Sequence, residues 1–177
     1  MTKKLAFRVI SKHDEYELRA YDPFLCVEVD SAGEWLQAGN RAFQPLVGYI
    51  SGNNRERQKF SMTAPVFQTG PESSRAAHTV SFVLPVDAAE QVPESTDSRV
   101  RVVRHEGGKF AAITFRGLWS EKLFMAKANH LIQKLKEDGI TISGQAMTAR
   151  YDPPWKPGFA RRNEILVPIR DPENTKE

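Results

Sequence analysis

The sequence contains one cysteine, Cys26, in 177 residues. A lone thiol excludes an internal disulfide framework and any multi-cysteine zinc or iron–sulfur site. It is compatible with a reducing compartment. Long apolar runs are also missing, and nothing approaches the ~18 residues of a membrane helix. Lys3 and Lys4 imitate the basic start of a signal peptide, but Arg8 interrupts the apolar stretch Leu5–Ile10 and no small-residue cleavage site follows. Neither sign of charge dominates. There are 25 Lys and Arg against 22 Asp and Glu, a net charge of +3. A phosphate-binding surface needs clustered basic charge rather than a slight excess. The expectation is a soluble, cytoplasmic protein with no membrane span and no nucleic-acid partner.

The familiar catalytic signatures are missing as well. No phosphate-cradling glycine loop, HExxH, GxSxG or Cys-x-x-Cys pair occurs. The four histidines, His13, His78, His105 and His130, form no metal-ligand spacing on a helix face. His105 precedes Glu106-Gly107 and reads as a solvated turn residue. His130 lies off the apolar stripe of a predicted helix and reads as a boundary or surface residue. Cys26 reads as a packing residue inside a strand.

What is present is enough apolar content, 40% of residues, to bury a core without staples. The length fits a single domain over 1–177. Two segments have helical periodicity. The first runs from about Glu34 to Ile50, with Gly39, Phe43, Leu46 and Ile50 at helical spacing and a kink expected at Pro45. The second runs from Ser120, a good N-cap, to Asp138, with Gly139 as a stop and Leu123, Phe124, Ala128, Leu131 and Leu135 as its buried stripe. Alternating patterns predict strands over 16–21, 24–29, 61–68, 79–86, 100–105, 109–115, 140–151 and 164–169. Asp22-Pro23 is a turn signal, and Gly107-Gly108 reads as the tip of a hairpin. Residues 70–74 read as a loop and 86–98 as a linker.

The pattern occurs twice. Met62-Thr63-Ala64 returns as Met147-Thr148-Ala149, and Phe82–Val86 is echoed by Ile165–Ile169. Trp35 opens the first helix and Trp119 precedes the second. All these offsets are about 84 residues. Two ββαββ halves, approximately 16–86 and 99–170, therefore build a pseudo-twofold unit. Pro85 and Pro168 cannot donate in a ladder, so each belongs at a strand end, bulge or edge.

The unusual segment is 151–165. Its three prolines and one glycine forbid a helix or a central strand. Yet it carries Trp155 and Phe159, and ends in Arg161 and Arg162. A stiff aromatic loop beside guanidinium groups suits a flat apolar ligand with carboxylates at its edge. The alternative is that Trp155 and Phe159 cap the fold while Arg162 pairs with Glu164 or another internal carboxylate.

Five segments together carry a resemblance. They are Tyr16–Tyr21, Phe43–Asn53, Met62–Val66, Val80–Pro85, and Tyr151–Trp155 with Arg161–Glu164. In this order they resemble the SOUL haem-binding protein family from Tyr16 to Ile169. The resemblance implies an α+β fold, a distorted eight-stranded antiparallel β-barrel with two helices built from two ββαββ halves. It is also similar to the effector-binding domains attached to some transcription regulators. It implies binding of haem or a related tetrapyrrole, as carrier, buffer or sensor; a monomer is expected. The implied contacts are Asn40, Phe43, Gln44 and Val47 on the first helix and Tyr151, Trp155, Lys156 and Arg161 in the late loop. Propionates would lie near Lys156 or Arg161, and Tyr151 or Met62 would offer a weak iron contact. A histidine that some members carry before the equivalent of Tyr21 is Ala20 here. Basic residues on the first helix of some haem binders are replaced by Asn40 and Gly48. Binding without turnover is the main reading. The alternatives are a tetrapyrrole-modifying enzyme such as a metal dechelatase, with Glu164 and Tyr151 as ionisable groups, or a binding module for other amphipathic small molecules.

Overall fold

The computed structural model describes residues 2–70, 77–88 and 92–171. Among them the strands are β1 (Lys3–Lys4), β2 (Arg8–Lys12), β3 (Glu17–Tyr21), β4 (Phe24–Ser31), β5 (Thr63–Thr69), β6 (His78–Val83), β7 (Arg101–His105), β8 (Gly108–Arg116), β9 (Met147–Arg150) and β10 (Arg162–Pro168). The helices are α1 (Trp35–Ile50) and α2 (Glu121–Glu137). This is an α+β fold with antiparallel sheet pairing and two helices. The two short N-terminal strands, β1 and β2, were not anticipated from sequence. The long strand expected over 140–151 is confined to Met147–Arg150, with an isolated bridge between Ile142 and Ile169. Parts of the expected loop at 70–74 and linker at 86–98 lie outside the described residues.

The chain forms two compact units, one of residues 1–5 and 23–106, the other of residues 6–22 and 107–177. In the first, the strand order is β5-β6-β4-β7, all antiparallel, with β1 parallel to β5. Helix α1 packs on β4 and β6. Its buried positions Trp35, Ala38, Ala42, Leu46 and Tyr49 follow the helical repeat. Ala42, Leu46 and Tyr49 meet Val27 and Val29 of β4 and Val80 and Phe82 of β6 in one core. The helix is assigned without interruption through Pro45, which is buried.

The second unit has the order β2-β3-β8-β10-β9, all antiparallel. Helix α2 packs on β8 and β10. Ser120 caps it as expected, its Oγ accepting from the Leu123 N–H at 3.4 Å. Gly139 follows the helix with φ +71°, the left-handed turn that ends many helices. Phe124, Leu131 and Leu135 are fully buried, while Leu123 and Ala128 are half-buried.

The repeat is plain in the strand starts. Glu17 and Arg101, Phe24 and Gly108, Thr63 and Met147, His78 and Arg162 are each 84 residues apart. The two copies exchange their first strands, however. β3 pairs with β8 of the second copy, and β7 pairs with β4 of the first. Both exchanged pairs keep the same register: Phe24 faces His105 as Gly108 faces Tyr21. Gly107-Gly108 is therefore a crossing from one unit to the other, not the tip of a hairpin between β7 and β8. Asp22-Pro23 is the reciprocal crossing. Pro168 ends β10 and Pro85 follows β6, as their missing donors require. Among the described residues no helix is long and apolar enough to cross a membrane.

Candidate functional site

The eight residues singled out from sequence fall on two elements, one in each unit. Asn40, Phe43, Gln44 and Val47 lie on α1 at intervals of three and four, so they share one helical face. Asn40, Phe43 and Gln44 are exposed and Val47 is half-buried. Leu36, one turn before Asn40, extends the same face and is 42% exposed. Phe43, also 42% exposed, sets its ring edge-on to Phe82 at 5.3 Å, so its outer side remains accessible. The face carries no charge. Arg41 flanks it, and its Nη1 donates to the Ala32 carbonyl at 3.2 Å.

The late-loop residues lie in the second unit. Lys156 Nζ donates to Asp152 at 2.8 Å, and the other oxygen of Asp152 accepts the Arg162 N–H at 2.6 Å. Arg161 donates through Nε to the Lys156 carbonyl at 2.9 Å and through Nη2 to the Pro154 carbonyl. Its guanidinium also lies 4.4 Å from the centre of the Trp119 ring, and Arg150 lies 5.0 Å from that ring. Burial lowers the Arg150 pKa to about 10. Trp119 Nε1 donates to Asn163 Oδ1 at 3.1 Å, and Asn163 Nδ2 donates to the Gly117 carbonyl at 3.0 Å. The loop is thus tied down by its own basic side chains. Its aromatic residues are not: Trp155 is 83% and Phe159 81% exposed. They do not cap the fold.

Tyr151 belongs to a buried network centred on Glu164. Glu164 accepts from Arg19 through two bonds of 2.8 Å, from Arg162 Nη2 at 2.8 Å, from Thr114 at 3.0 Å and from the Tyr151 hydroxyl at 2.7 Å. Arg19 also donates to Glu17 at 2.6 Å and to the Tyr21 hydroxyl at 3.1 Å, with its guanidinium 4.0 Å from the Phe7 ring centre. Burial alone would raise the Glu164 pKa. The Arg19 fork, with Tyr151 and Arg162, outweighs burial and holds it at about 2. Burial, then the Glu164 charge, raise the Tyr151 phenol well above its ordinary value. Tyr151 is thus a neutral donor to a carboxylate, which opposes its use as a phenolate ligand to iron. The pairing of Arg162 with Glu164 is the one weighed from sequence.

Sequence reasoning passed over Arg19. The strand Glu17–Tyr21 alternates, and its apolar set is Leu18 and Ala20, but Arg19 and Tyr21 are the buried side chains. The available signal was an arginine flanked at two-residue spacing by an acid and a tyrosine. His105 also differs from the solvated turn residue expected. It is half-exposed at the end of β7, with Nε2 2.7 Å from the buried carboxylate of Glu28, and it stacks on Phe24 at 5.1 Å. Burial pushes the Glu28 pKa up, but His105, Ser81 and Arg101 outweigh this and lower it. Among the described residues no group of three His, Cys, Asp or Glu is arranged to hold a metal ion.

A family model described as SOUL heme-binding protein matches residues 2–168. Heme-binding protein 1 of Sus scrofa is 27% identical over 170 residues, covering 91% of this chain and 89% of its own. Heme-binding protein 2 of Mus musculus is 28% identical over 161 residues, covering 86% of this chain and 77% of its own. Among solved structures, the C-terminal domain of EcmrR matches with a TM-score of 0.69 at 11% identity, over 89% of this chain and 98% of that one. At that identity the likeness concerns the fold alone.

Proposed function

Because the chain belongs to the SOUL heme-binding protein family, we propose that it binds haem or a related tetrapyrrole on the outward face of α1, as a monomeric carrier, buffer or sensor. The two relatives described above, both named for heme binding, support the ligand class. The observation that carries the placement is the uncharged stripe of Leu36, Asn40, Phe43, Gln44 and Val47 on a helix whose opposite face is buried. A porphyrin face is flat and apolar, and exposed Phe43 and Leu36 offer matching surface. Arg41 beside the stripe supplies a guanidinium for a propionate.

The stripe contains no imidazole, thiolate or thioether, so affinity rests on apolar contact and one charged edge rather than on iron ligation. The same chemistry supports binding without turnover. Of the two ionisable groups a dechelatase would use, Glu164 accepts from two arginines and Tyr151 donates to Glu164. Neither is free to exchange a proton with a ligand.

Haemin titration followed at the Soret band tests the proposal. Phe43→Glu places a charge against the ring and should weaken binding at least tenfold, as should Val47→Asp. Unchanged titrations in both variants would refute the placement, and no Soret shift in the parent protein would refute the function. Release of free iron from bound haemin over time would point to the dechelatase instead.

A further inference from the structure

We propose that the 151–162 loop is a docking surface for an anionic lipid bilayer, with Trp155 and Phe159 as the inserting side chains and the neighbouring arginines as the charged collar. Trp155 and Phe159 are the two most exposed aromatic side chains described, at 83% and 81%, and Leu118 is 64% exposed. Leu118 lies against the loop: a Cβ added at Gly158 would come within 2.1 Å of the Leu118 side chain. Leaving this much apolar surface wet opposes folding rather than aiding it. The fold does not demand it either. The equivalent segment of the first copy, residues 67–78, has Pro71 and Arg75 at the positions of Trp155 and Phe159, and its one aromatic residue, Phe67, matches Tyr151.

The charge pattern selects the partner. Residues 151–162 hold one acid, Asp152, and three bases, Lys156, Arg161 and Arg162. Lys156 covers the acid at 2.8 Å. Arg161 and Arg116 donate to carbonyl oxygens, of Lys156, Pro154 and Ala160, which leave a positive charge standing. Tryptophan beside basic residues is the composition that sits at a membrane interface, and each basic group near an anionic leaflet adds about 1 kcal/mol. Two aromatic side chains and a leucine cover a few hundred Å², against ~800 Å² per partner in a stable protein complex. That disfavours a second copy or a folded protein as the occupant. Pro153, Pro154 and Pro157, with the Arg161 clamp on the carbonyls either side of Trp155, stiffen the loop and reduce the ordering cost on docking.

The test uses the full chain with phosphatidylcholine vesicles, with and without phosphatidylserine, and measures the bound fraction by sedimentation and the shift of tryptophan emission. Binding is expected only with phosphatidylserine, and should fall as salt is raised. Trp155→Ala with Phe159→Ala should weaken it at least tenfold. Arg116→Gln should weaken it roughly fivefold. Lys136→Gln, an exposed charge removed from α2, should leave it within twofold. Equal binding of the aromatic double variant, or no binding to phosphatidylserine vesicles, overturns the proposal. So does a concentration-dependent dimer abolished by the double variant without vesicle binding.

Discussion

Arg19 and Glu164 lie 145 residues apart in sequence and meet in a two-bond fork, both contacts at 2.8 Å, inside the second unit. Both side chains are buried. The pairing joins β3 to β10, which are not sequence neighbours and are separated in the sheet by β8. It therefore records the strand exchange between the two copies in a single contact. A buried ion pair needs its charges matched, and here Glu17 and Glu164 face Arg19 and Arg162, with Tyr21, Tyr151 and Thr114 adding further hydrogen bonds.

Removing one partner strands the other. Arg19→Met should cost about 3–5 kcal/mol, read as a lower urea midpoint with an unchanged slope. Tyr151→Phe removes one donor to the carboxylate and should cost about 1–3 kcal/mol. If Arg19→Met is as mild as a surface substitution, the fork is not holding β3 in place.

The same network sets an acid limit. The Glu164 pKa is held at about 2 in the fold against an ordinary 4.5. A carboxylate with a depressed folded pKa contributes stability that is present above the unfolded value and lost as pH falls through the folded one. Stability should therefore decline between about pH 5 and pH 2. Glu164→Gln should be less stable at pH 7 and should lack this part of the decline. A parallel decline in parent and variant, followed by denaturant titration across that range, would remove Glu164 as its source.

The elements were legible because each carries its own local signal. Alternation marked the strands, Ser120 and Gly139 marked the ends of α2, and repeated words exposed the offset of 84 residues. The partners of those strands were not legible. Asp22-Pro23 and Gly107-Gly108 have turn chemistry whether the chain folds back or crosses to another sheet, so the exchange of β3 and β7 left no local trace. The set Asn40, Phe43, Gln44 and Val47 follows from the family resemblance, whereas helical spacing groups Phe43 with Gly39, Leu46 and Ile50, which are buried. The fate of Lys156 and Arg161 was not legible, because their acceptors are Asp152 and carbonyl oxygens that the loop conformation brings within reach. Arg19 was hidden for the opposite reason: alternation predicts which residues share a side, not which side is buried.

Cys26 should be chemically silent. It is fully buried in β4, and burial, reinforced by Glu28, raises its thiol pKa well above the ordinary value. A colourimetric thiol reagent at pH 8 should leave the native protein unmodified and react with one thiol per chain once urea unfolds it. In the native protein, modification should proceed only at the rate of opening and accelerate in step with destabilising variants such as Arg19→Met. Rapid reaction without denaturant would show that β4 is accessible from one side.

Two glycines with nearly the same backbone conformation should respond very differently to alanine. Gly107 and Gly139 have φ of +73° and +71°, so both substitutions carry the left-handed penalty of about 1–2 kcal/mol. Around Gly139 an added Cβ meets nothing within 4 Å, and Gly139→Ala should cost little beyond that penalty. At Gly107 the same Cβ would lie 2.2 Å from the Tyr21 carbonyl oxygen and 2.8 Å from Asp22. These are backbone atoms at the end of β3 and cannot rotate away. Gly107→Ala must displace the strand that carries Arg19, so its cost should exceed that of Gly139→Ala by at least about 2 kcal/mol. Urea midpoints of the two variants measured side by side decide it. Equal midpoints would mean that the crossing at Gly107 can shift without disturbing β3.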